Sequence, residues 1–172
     1  MKNLKVLIPA VTMAALVSFA GSQSAYAADT ALTAEVNGGD LSISAPGSVA
    51  LGTFLPGTTV NSVDINNNVV TDARAGNLGW TASVQSTNLT PASGSAILAT
   101  QMGYAHLAPA TVTGTATVES QSPTDLSTAK PVQVASGVAG NNSATWGYNL
   151  SLTIPSDALA GTYNGTITHS VL

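Results

Sequence analysis

Hydrophobic and polar residues alternate with a period of two along much of this chain. In residues 148–154 (YNLSLTI), Tyr148, Leu150, Leu152 and Ile154 alternate with Asn149, Ser151 and Thr153. That pattern predicts a strand with one buried face. Pro155-Ser156-Asp157 ends the run, because proline brings no N–H to a ladder and Ser and Asp favour turns. A second run begins at Gly161 and puts Tyr163, Gly165, Ile167, His169 and Val171 on one face. The two runs predict a terminal hairpin whose last strand closes the sheet.

Earlier segments read the same way. Strands are predicted over 32–36, 41–44, 49–54, 60–70 and 78–84, the last with Leu78, Trp80, Ala82 and Val84 on one face. Asn66-Asn67-Asn68 interrupts the fourth of these as a loop tip or bulge. In 97–107 a helix competes, but Gly103 and the β-forming residues favour a strand. Residues 111–118 form another, with Thr111, Thr113, Thr115 and Thr117 in strict alternation. Residues 121–130 read as a turn-rich connection, 131–135 as a short strand and 137–143 as a flexible loop. Short strands with turn signals roughly every 8–12 residues predict an all-β fold, a single antiparallel β-sandwich of the Ig-like or Greek-key type.

The N-terminus differs from this pattern. Lys2 and Lys5 precede an apolar core over 6–20, and Ala25-Tyr26-Ala27 supplies a small-x-small cleavage site. Residues 1–27 are therefore expected to be a secretory leader and 28–172 the exported domain. No membrane span is expected in the exported form. Removing 27 of the 172 residues leaves 145, the size of one ordinary domain.

Charge narrows the possible partners. Without the leader, Arg74 and Lys130 stand against eight acidic residues, a net charge of −6. So few cations cannot neutralise a row of phosphates, which excludes nucleic acid and disfavours anionic membranes. Charged residues are 7% of the chain, against about 25% in typical soluble proteins. Solubility therefore rests on Ser, Thr, Asn and Gln. The absence of cysteine leaves an exported domain to its core alone.

Candidate chemistry is sparse. His106 and His169 are the only histidines, and no serine sits in a Gly-x-Ser-x-Gly elbow, so no enzyme activity and no cofactor are expected. Asp64-x-Asn66-x-Asn68 matches only the first half of an oxygen-ligand calcium loop, so no metal is expected. The threonine ladder could order surface water if it were repeated in a stack, as in ice-binding proteins; one row suits the wet face of a strand. Arg74, the only arginine, follows Asp72 closely, and the pair is expected to form a structural clasp. Trp80 and Trp146 are expected mainly as packing anchors, with a ligand contact as the alternative, more so at Trp146.

Several stretches together resemble the WxL-domain surface proteins, closest to their short actinobacterial relatives. These are 41–44, Leu51-Gly52, 69–74 (VVTDAR), Gly79-Trp80-Thr81, 141–146 (NNSATW) and 160–171 (AGTYNGTITHSV). The resemblance implies a secreted β-rich domain held non-covalently at the Gram-positive cell wall, through peptidoglycan or another surface glycan. The family carries two Trp-x-Leu motifs. Here the internal one is Trp80-Thr81-Ala82 and the terminal one falls on His169-Ser170-Val171. Trp80, Trp146 and His169 are the candidate ligand contacts under this reading. A cell-surface protein partner, or a pilin-like subunit that self-associates by exchanging its terminal strand, are the alternatives.

Overall fold

The computed structural model describes residues 26–172, so the expected leader lies almost wholly outside it. Two units divide at Glu35 and Val36. Residues 26–35 carry no regular secondary structure and are exposed. The strand expected over 32–36 is not formed: Leu32 and Val36 are 92% and 86% exposed. Alternation without a partner strand leaves the backbone with no ladder to complete.

Residues 36–172 are all-β. Seven strands form: β1 (Leu41–Ser44), β2 (Thr59–Asp72), β3 (Trp80–Ser86), β4 (Met102–His106), β5 (Thr111–Ser120), β6 (Lys130–Thr153) and β7 (Ile167–Val171). One 3-10 turn, Ala99–Gln101, precedes β4. All the strands belong to one antiparallel sheet of order β1-β2-β6-β3-β7, with β4 and β5 also paired to β6.

The centre of the sheet is β6, 24 residues long. Asn142 to Thr145 pair with β2 on one edge and β5 on the other. Val134 and Ala135 likewise lie between β3 and β5, and Tyr148 to Leu152 between β2 and β4. This corrects the expected sequence of short strand, loop and strand. Gly137 and Gly140 have φ of 60° and 73°, a region that glycine enters without strain. Against β5 the register steps from Asn142 to Ala139 and then to Ser136 while β5 advances from Gly114 to Thr115 and Thr117. The extra residues are bulges, which bend a strand without ending it. They also change the phase of burial, from Gln133 and Ala135 before them to Asn142, Ala144 and Trp146 after them.

The terminal hairpin is not formed either. β7 pairs with β3, matching Val171 to Ala82, His169 to Val84 and Ile167 to Ser86. It lies beside β1 without a ladder, so the sheet is nearly closed. Residues 49–54 form no strand, Leu78 is 70% exposed ahead of β3, and Asn67, with φ of 66°, marks a bulge inside a continuous β2. From the expected connection over 121–130, Leu126 is fully buried; its N–H donates to Ala99 O (3.0 Å) and its carbonyl accepts from Ser86 N–H (2.8 Å).

Candidate functional site

The tryptophans are interior. Trp80 is 2% and Trp146 is 3% exposed, so neither ring face is open to a ligand, which corrects their candidacy as contacts. Trp146 Nε1 donates to Tyr104 Oη at 2.6 Å, and Tyr104 stacks on Tyr148 with ring centroids 3.8 Å apart. Burial raises both phenol pKa values well above the ordinary range. Trp80 Nε1 donates to Asn142 Oδ1 at 3.0 Å.

Asn142 links the core to the Asp72–Arg74 pair. Asp72 is buried on the inner side of β2, and Arg74 grips it through Nε to Oδ1 (2.8 Å) and Nη2 to Oδ2 (2.9 Å). The backbone N–H of Arg74 also donates to Oδ1, and Asn142 Nδ2 donates to Oδ2 at 3.3 Å. These bonds, led by the guanidinium, hold the Asp72 carboxyl down to about 2 despite its burial. Arg74 Nη2 also reaches the carbonyls of Leu78 and Gly79. The resulting chain of contacts ties the β2–β3 turn to Trp80.

The two stretches singled out by the resemblance, Trp80-Thr81-Ala82 and His169-Ser170-Val171, lie on neighbouring strands. Ala82 faces Val171 across the β3–β7 ladder; Trp80 and Ala82 are buried, and His169 and Val171 are half-buried. The His169 ring lies 5.8 Å from Tyr148 and 6.3 Å from Tyr104. It lines a cavity of about 270 Å³ with Ile65, Met102, Tyr148 and Leu150. Its Nε2 is buried and finds no partner among the described residues. Burial lowers its pKa, which favours the neutral ring. His106 is elsewhere, exposed, with Nδ1 2.9 Å from Ser122 Oγ.

Asp64 and Asn68 point to opposite sides of β2. Asp64 Oδ1 accepts from Asn149 Nδ2 (2.9 Å), whereas Asn68 is fully buried and its Nδ2 contacts Trp146 O (3.3 Å). Of the loop tip or bulge expected there, the structure has the bulge, inside a continuous β2. No group of three or more His, Cys, Asp or Glu side chains is gathered for a metal among the described residues. No helix among them is long and apolar enough to cross a membrane.

The outer face of the sheet is the surface whose arrangement sequence reasoning missed. Pairing brings Ser42, Thr71, Ser143 and Thr113 into one cross-strand row, and Ser44, Val69, Thr145 and Thr111 into a second. The row between them, Ile43, Val70, Ala144 and Val112, packs inward. Seven of the eight outward positions carry hydroxyls, and none carries a charge. Neighbours in a row are about 4.8 Å apart and the rows about 6.7 Å apart, as strand spacing and rise dictate. The threonines of β5 are thus the margin of a four-strand hydroxyl grid. The alternating threonines were the only local signal, and they gave no hint of register. Comparison with protein-family models, curated proteins and solved structures finds no match to this chain.

Proposed function

We propose that the protein is a secreted, non-catalytic module that associates non-covalently with the Gram-positive cell wall, with peptidoglycan glycan as its ligand. We read its folded-over sheet as a β-sandwich of the Ig-like or Greek-key type. The observation that carries the functional reading is the uncharged hydroxyl grid on β1, β2, β6 and β5. A polymer of neutral sugars offers hydroxyls to such a surface and needs no cationic patch, which suits a chain this poor in Lys and Arg. Single hydroxyl hydrogen bonds to a wet ligand are weak, so a repeating polymer that engages many at once is the appropriate partner. Self-assembly by terminal strand exchange would have to replace the β3–β7 ladder, and no observation favours it.

The test is sedimentation with insoluble walls, using residues 28–172. Saturable sedimentation on walls with and without teichoic acid is the expected result. Sedimentation no greater than that of a control protein of similar size and charge contradicts the proposal.

A further inference from the structure

We infer that the hydroxyl grid takes an extended, uncharged β-1,4-linked glycan lying across the strands, about one sugar ring to each strand. The inference rests on the wall-binding reading and specifies the linkage, charge and direction of the ligand.

Repeat length comes first. Successive strands present equivalent hydroxyls about every 4.8 Å, as in the row Ser42, Thr71, Ser143 and Thr113. A β-1,4-linked pyranose chain is a flat ribbon that advances by close to one strand spacing per sugar. A chain laid along the row therefore stays in step over all four strands. Across the strands the two rows are about 6.7 Å apart, which lets them meet hydroxyls on both edges of one ribbon. A chain laid along a strand would meet hydroxyls on only one row of side chains at a time, with a longer repeat. An α-linked chain coils and leaves the row after a few sugars.

Charge is the second constraint. The eight positions bring no charge, and the exported chain is net negative, so the face gives a carboxylate or phosphate no counter-charge to replace its lost water. The complementary polymer is itself uncharged: a hexose or N-acetylhexosamine backbone, not the acidic peptide or phosphate groups a wall also carries. Val69, half-buried among the hydroxyls, matches the apolar C–H face of a sugar ring.

The test uses residues 28–172 with insoluble chitin and cellulose as β-1,4 probes and insoluble starch as the α-1,4 control. A triple variant, Thr71→Val, Thr113→Val and Thr145→Val, removes hydroxyls from β2, β5 and β6 while keeping β-branched side chains that suit a strand. Circular dichroism and the thermal midpoint check that it folds like the parent. The expected result is retention on chitin and cellulose, little on starch, and about a tenfold or greater loss in the triple variant, the loss of roughly one or two net hydrogen bonds. Equal retention on starch, or an unchanged triple variant, overturns the inference. Wall sedimentation that persists without β-1,4 preference overturns it and leaves the wall reading standing; no retention on walls or polymers overturns both. Shaping of ice crystals without polymer binding overturns it in favour of ordered water as the ligand.

Discussion

Replacing Trp146 with alanine lowers the unfolding free energy by about 3–5 kcal/mol, the usual cost of removing a large buried aromatic side chain. Two losses combine at this position. The indole is 3% exposed in the middle of β6, where β2 pairs with the same strand, so its removal leaves a cavity at the centre of the sheet. The Tyr104 hydroxyl also loses the donor it meets at 2.6 Å, and an unsatisfied buried polar atom adds its own penalty. Trp146→Phe separates the two: it keeps most of the volume, loses the donor and costs about 1–3 kcal/mol. Urea unfolding followed by circular dichroism measures both. A change within about 1 kcal/mol for Trp146→Ala, together with lost wall binding, would instead make the indole an exposed ligand contact.

Acid weakens the fold through Asp72. Its carboxyl titrates near 2 in the folded protein and near the ordinary value of about 3.9 when unfolded. A depressed folded pKa contributes stability that is fully present above the unfolded value and is lost as pH falls through the folded one. Thermal midpoints of the parent should therefore start to fall below about pH 6.5, where the unfolded chain protonates His169 and burial disfavours its protonation in the folded one, and fall further through Asp72 between about pH 4 and 2. Asp72→Asn keeps the shape but not the charge that Arg74 grips through Nε and Nη2. It should be less stable than the parent at pH 7 and flatter across the acid range, the two curves converging near pH 2. Parallel curves at every pH would show that the Asp72–Arg74 pair contributes no linkage.

Strands were legible wherever one face is apolar and the partner is continuous. Tyr148, Leu150 and Leu152 alternate without interruption, and all three are buried. The run 137–143 was not legible as strand because its glycines and asparagines have the composition of a loop. Gly137 and Gly140 are bulge positions, and Asn142 is a buried amide satisfied by Trp80 and Asp72. Both facts depend on residues far away in sequence. The Asp72–Arg74 pair was legible because its partners are two residues apart. The hydroxyl grid was not, because Ser42, Thr71, Ser143 and Thr113 are aligned only by pairing among four strands. The last strand reads as the neighbour of the run before it, yet β7 crosses to β3. No local pattern specifies that choice.

The most direct test of the central claim locates the ligand on the surface. Amide and methyl chemical shifts of residues 28–172 are followed by NMR while soluble β-1,4-linked N-acetylglucosamine oligomers, which carry no charge, are added. The predicted changes cluster on Ser42, Ser44, Val69, Thr71, Thr111, Thr113, Ser143 and Thr145, and leave His169 and the cavity beside Tyr148 unperturbed. Changes confined to His169, Ile167 and the cavity wall, or none at saturating glycan, contradict it.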